Sequence, residues 1–131
     1  MSSEAGAIGA AARVIARRRA AQAELVARAR DFAAGLDPSL GTVAAVVVGS
    51  VARGDFNLWS DLDLLVVAES LPRRSWDRAL VIGLAAPPGL SPMAWTPAEY
   101  LGRLEQGDLI AVEARAAGIV VRGRLPEPPA A

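Results

Sequence analysis

Residues 42–67 read as two apolar runs around a polar insert: TVAAVVV, then GSVARGDFNLWS after it, then DLDLLVV. Both runs are short, rich in Val and Leu, and lack polar alternation, the pattern of strands covered on both faces. The spacing predicts strands over Thr42–Val48 and Asp61–Val67, with a turn and one helical turn between them. Upstream, residues 5–36 are rich in Ala, Arg, Glu and Leu and contain no proline, which predicts a long helix. Its apolar stripe runs through Ile8, Ala11, Val14, Ala21, Leu25, Ala29, Phe32 and Leu36. Arg18 interrupts the stripe, so the half after Ala21 is the expected core face, while Ile8 and Val14 are expected to project toward a partner. Gly35 and Pro38 end the helix.

Downstream, a helix is expected from Arg74 to Leu84, stopped by Pro87-Pro88-Gly89. Leu90–Trp95 reads as a third strand, and Pro92 places it at an edge. Thr96, Pro97 and Glu99 form a helix start with a capping box, and Trp95 before them suits a hydrophobic staple. A short helix over 108–117 and a last strand over Gly118–Val121 follow, then a Pro-rich tail that reads as disordered. The expected organisation is an N-terminal helix packed on the domain (1–40), one domain (41–124) and the tail (125–131). The fold class is α/β or α+β, with a small mixed sheet flanked by helices.

Composition narrows the chemistry. With 14 basic and 14 acidic residues the net charge is zero, which gives no strong pull toward nucleic acid or anionic lipid. Cysteine and histidine are both absent, so there is no disulfide framework, no thiolate metal site and no imidazole base. A metal here must be a hard cation held by oxygen. All the basic residues are Arg, so no Lys serves as base or phosphate ligand. No apolar run reaches the ~20 residues of a membrane span. The charges of the N-terminus follow its apolar residues, the wrong order for a secretory signal. Glu4 and Glu24 oppose a transit peptide, so a soluble cytoplasmic protein is expected.

Asp61 and Asp63 stand two apart on a strand, so both side chains leave one face. Two such carboxylates repel unless something lies between them, and a divalent cation such as Mg²⁺ removes the conflict. Mg²⁺ usually shares its shell with substrate phosphates, so a phosphate cradle is expected nearby. Gly49 permits close backbone approach, Ser50 offers a hydroxyl and an amide, and Arg53 adds a positive charge one turn on. Ser60 is placed to orient the loop. Four features have plainer readings. Arg53 could pair with Asp55 at the surface, and the Asp-Leu-Asp end could simply face solvent. Trp59, which could stack on a base, is expected instead to pack beneath the loop. Arg17–Arg19 read first as the solvated side of the helix.

The segment GSVARGDFNLWSDLDLLVV (residues 49–67) resembles the signature of the minimal nucleotidyltransferases, small members of the DNA polymerase β-like superfamily. WTPAEYLGRL and GDLIAVEARAAGIVVRG resemble that family's C-terminal half, extending the likeness over residues 43–124. The resemblance implies a polymerase β-like palm fold in which Asp61 and Asp63 hold Mg²⁺ on a nucleoside triphosphate, ATP by preference. Gly49 and Ser50 would contact its phosphates, assisted by Arg53 and Ser60. It further implies transfer of AMP to a hydroxyl of a helical HEPN-domain partner in a toxin–antitoxin pair, and leaves an oligomer open. A catalytically degraded binding module that neutralises such a partner is the alternative, and transfer to a small molecule such as an aminoglycoside a third. The superfamily that the chain resembles uses another carboxylate on a later strand. That position falls near Ser91, and no Asp or Glu occurs between Asp77 and Glu99. Glu99, Asp108 or a partner could supply the group instead.

Overall fold

The structure is a computed structural model that describes residues 3–130. Met1 and Ser2, which open the expected N-terminal segment, and Ala131, which closes the expected tail, lie outside the described residues. The chain runs α1 (Ser3–Ala34), a 3₁₀ turn (Pro38–Leu40), β1 (Thr42–Val48), α2 (Gly49–Arg53), β2 (Leu62–Ala68), α3 (Ser75–Arg78), β3 (Leu90–Trp95), α4 (Pro97–Glu105), α5 (Leu109–Ala117) and β4 (Ile119–Gly123). The four strands form one sheet in the order β3-β2-β1-β4. β1 is antiparallel to β2 and β4, whereas β2 and β3 are parallel, so the sheet is mixed as expected. Parallel pairing requires a crossover, and residues 69–89 with α3 supply it.

The two central strands are buried on both faces, which is why their sequences do not alternate. Ala45, Val47, Leu64 and Val66 meet Ala29 and Ala33 of α1, together with Val51, Phe56 and Ile82. On the opposite face Val46, Val48, Leu65 and Val67 meet Trp95, Tyr100, Ala111 and Ala114, carried by the end of β3 and by α4 and α5. Pro92 does sit on an edge strand, where its missing N–H breaks no central ladder.

The second half of α1 is the packed half. Ala29 and Ala33 are fully buried, and Arg122 donates across to the Ala33 carbonyl at 2.6 Å. Residues 10–20 are exposed, with Ile8 and Val14 open to solvent. Arg18 is not an idle member of a solvated face, however. Its guanidinium donates to the Phe56 carbonyl and lies 5.2 Å from the centre of the Phe56 ring. Gln22 likewise donates to the Val51 carbonyl at 2.7 Å, so polar side chains fasten α1 to the segment that follows β1.

The helix expected over 74–84 is present over Ser75–Gly83: it begins as the α-turn α3 and continues as a π-helix over Ala79–Gly83, with Ile82 its one buried residue. One expectation is corrected here. Trp59 does not pack beneath its loop: it is 90% exposed and Leu58 beside it is 97% exposed, while Phe56 is the loop residue that enters the core.

At the start of α4 the capping box forms in full. Thr96 Oγ1 accepts from the Glu99 amide at 3.2 Å, and Glu99 Oε1 accepts from the Thr96 amide at 2.8 Å. Arg78 donates to the same Glu99 carboxylate at 2.6 Å, tying the crossover to α4. Burial raises the Glu99 pKa, but the Thr96 amide and the Arg78 contact outweigh it and hold the carboxyl below its usual range. Trp95 and Tyr100 share one buried cluster, as a staple requires.

Tyr100 is wholly buried, yet its hydroxyl has no hydrogen-bond partner among the described residues. Deleting a buried hydroxyl that lacks a partner removes a desolvation penalty. Tyr100→Phe should therefore unfold at the same temperature as the parent or higher. Tyr100→Ala, which empties the ring site, should lose about 3–5 kcal/mol. Chemical denaturation of the two variants checks both.

Candidate active site

The site is built where β1 ends and β2 begins. Val48 is the last residue of β1 and lies opposite Asp63 in the antiparallel ladder. The chain then turns at Gly49, which has φ +76°, a conformation in which L side chains are strained. Space gives a second reason for glycine: a Cβ at residue 49 would lie 2.7 Å from Asp63 Oδ2. The Asp63 carboxylate thus rests against bare backbone.

The Gly49 amide donates to Glu113 Oε1 at 2.8 Å, from α5. Arg53, at the end of α2, donates through Nη1 to the same oxygen at 3.0 Å and through Nε to Asp55 at 3.2 Å. The surface pairing of Arg53 with Asp55 is therefore present, alongside a pairing with Glu113 that the chain's local sequence does not announce. Both acidic neighbours keep the Arg53 guanidinium firmly protonated, Asp55 more than Glu113.

Asp63 is half-buried and its carboxyl is pushed above the usual range, first by burial, then by the charges of Asp61 and Glu113; Arg53 opposes the shift. Asp61 is exposed one residue before β2 starts, close enough to act on Asp63 electrostatically. The structure therefore brings together Gly49, Arg53, Asp61 and Asp63. Ser50 follows Gly49 in α2, half-buried, and its carbonyl accepts the Gly54 and Asp55 amides. Ser60 belongs to the loop instead. Its Oγ accepts from the Asn57 amide at 3.0 Å, and it lines a groove of about 620 Å³ beside α1 that includes Val14, Arg18, Leu25, Phe56 and Leu58. That groove lies on the α1 side of the sheet, whereas Asp63 emerges on the side of α4 and α5.

The β2–β3 register pairs Asp63 with Ser91. Partners in a parallel ladder point to one face, so the side chain beside Asp63 on β3 is an uncharged, exposed serine. Neither alternative carboxylate is free to stand in. Glu99 is held in the capping box and by Arg78, and Asp108 caps α5 through the Ile110 and Ala111 amides and pairs with Arg103 at 3.2 Å. The Ala111 and Ile110 amides and Arg103 keep the Asp108 carboxyl below its ordinary value. Glu113 is the neighbour of this cluster that sequence reasoning did not anticipate. Its signal was only helical spacing: three residues after Ile110, it flanks the buried Ala111 and Ala114.

Fold and site define an α/β protein in which a glycine turn and a carboxylate at the start of β2, with a second just before it, share one sheet end. A family model described as nucleotidyltransferase domain matches residues 28–122, and the chain belongs to that family. The fold is similar to a crystal structure of a candidate nucleotidyltransferase from Sulfolobus solfataricus, with a TM-score of 0.60 and 17% sequence identity over 82% of this chain and 87% of that one. At that identity the likeness speaks for the fold. No curated protein matches the chain.

A divalent cation fits the donors present in one respect: the Asp63 carboxylate, disfavoured by burial and by the charges of Asp61 and Glu113, rests against bare backbone with Asp61 close enough to act on it. No cluster of three or more metal-ligating side chains occurs among the described residues. The protein's own donors are therefore few, and a bound triphosphate would have to complete the shell.

Gly49→Ala should lose about 1–3 kcal/mol, from a strained φ and the close approach to Asp63; thermal unfolding checks it. Asp63 yields a pH dependence of stability. A carboxyl whose pKa rises on folding destabilises the folded state above its folded pKa, and the penalty fades as pH falls toward the unfolded value. In the absence of divalent metal, Asp63→Asn should unfold at a higher temperature than the parent near pH 7. The gap should shrink as pH falls toward about 4. Thermal melts across that range in chelator measure it.

Proposed function

We propose that the protein is a Mg²⁺-dependent nucleotidyltransferase that transfers AMP from ATP to a hydroxyl of a partner protein, in the manner of minimal nucleotidyltransferase antitoxins acting on HEPN-type partners. The observation that carries this reading is the packing of the Asp63 carboxylate on the Gly49 backbone, with Asp61 beside it, in a chain of the nucleotidyltransferase family. Asp61 and Asp63 would hold the cation, which would supply charge neutralisation at the triphosphate. Gly49, Ser50 and Arg53 present an amide, a hydroxyl and a guanidinium to the β- and γ-phosphates. The acceptor oxygen bonds to the α-phosphorus in line as the bond to the β-phosphate oxygen breaks. Pyrophosphate leaves and the acceptor proton passes to water. The domain boundaries at 41–124 belong to this proposal. The exposed position of Asp61 favours a macromolecular acceptor.

A second reading has its own observation. Ser91 in register with Asp63 leaves β3 without a carboxylate to pull the acceptor's proton, which favours a scaffold that neutralises its partner by association. Removing one electrostatic group from a transfer site slows catalysis by about 10²–10³. The two readings separate in one labelling experiment with purified protein, Mg²⁺, α-labelled ATP and the co-purified partner. The transferase reading expects label on the partner, lost in Asp61→Asn/Asp63→Asn. Partner binding without label in the parent would establish the scaffold. Ser91→Asp should accelerate labelling if the serine is what limits the reaction.

A further inference from the structure

We infer that Glu113 is an internal stand-in for a phosphate: it occupies the Gly49 amide and the Arg53 guanidinium in the nucleotide-free protein and must leave them before a triphosphate can bind. The inference rests on the nucleotide-binding reading given above and adds a residue that sets its affinity. One oxygen, Glu113 Oε1, accepts from both donors, at 2.8 Å from Gly49 and 3.0 Å from Arg53. These come from two of the residues assigned to the phosphates, and a single anionic oxygen receiving an amide and a guanidinium is the arrangement that a phosphate oxygen would adopt there.

The location argues against a purely structural ion pair. Glu113 projects from α5 toward a site that already holds Asp61 and Asp63, and its charge works against Asp63. A residue serving only to fasten α5 to α2 could do so with an amide and avoid that repulsion. The Glu113 side chain is 26% exposed and the Arg53 side chain 49% exposed, so the contact is open enough to be broken. Arg53 retains Asp55 when Glu113 departs. With a cation on the triphosphate, the charges of Asp61, Asp63 and Glu113 would be offset, and the Gly49 amide and Arg53 guanidinium would be free for phosphate oxygens. Glu113 is a positioning residue in this account, setting the fraction of molecules whose donors are free.

The test is calorimetric binding of Mg·ATP, and of inorganic tripolyphosphate with Mg²⁺, to the parent, Glu113→Gln, Glu113→Ala and each of these combined with Arg53→Ala. Glu113→Ala should bind both probes about fivefold tighter than the parent, the gain expected when a contact holding most molecules closed is removed, and Glu113→Gln, which keeps a weaker neutral acceptor, should gain less. Arg53→Ala should weaken binding more in the Glu113→Ala background than in the parent, because there the guanidinium is free to engage phosphate. Simple loss of structure cannot tighten binding, and unfolding temperatures show whether each variant is folded. Equal or weaker binding by both folded Glu113 variants overturns the inference, as does absence of binding in every variant. Binding that ignores Asp61→Asn/Asp63→Asn contradicts the nucleotidyltransferase site itself, whatever the Glu113 variants do.

Discussion

The Asp63 carboxylate occupies the space that any side chain at residue 49 would need, and the rest of the site depends on that contact. It requires the antiparallel register that sets Val48 opposite Asp63, and a residue able to hold φ +76° without a Cβ. It also requires that the strands behind it be rigid, which two-sided burial of β1 and β2 provides. A sheet with both faces covered can offer chemistry only at its strand ends. The place where β1 hands over to α2 is one of them.

Charge is the second organising constraint. Arg53 faces Asp55 and Glu113, and its attraction does not outweigh burial and the two carboxylates that act on Asp63. Such an arrangement lowers the stability of the empty protein and favours whatever cation relieves it. Sites that bind charged ligands commonly hold this kind of stored repulsion. Opposite Asp63 on β3 stands Ser91, which adds neither repulsion nor a base. In the proposed transferase, the residues around Asp63 suit the binding of positive charge better than the removal of a proton.

Much of this was legible in the sequence. The strands β1 and β2 announced themselves as unbroken apolar runs, and Pro92 marked β3 as an edge. The capping box at Thr96 and Glu99 is local chemistry that sequence spacing states outright. What stayed hidden depends on long-range packing. Glu113 lies 64 positions from Gly49 along the chain and meets it only because α5 crosses the end of β1. Arg18 looked like solvated surface because nothing local shows that the Phe56 carbonyl lies within its reach. Trp59 looked like a packing residue because aromatic side chains usually are, whereas here Phe56 fills that role and Trp59 faces outward.

The most direct measurement is anomalous diffraction from crystals grown with Mn²⁺ and a non-hydrolysable ATP analogue. The account predicts a metal peak between Asp61 and Asp63, with triphosphate oxygens against the Gly49 amide and the Ser50 hydroxyl. Ordered nucleotide elsewhere, or Mn²⁺ bound away from both aspartates, would contradict it.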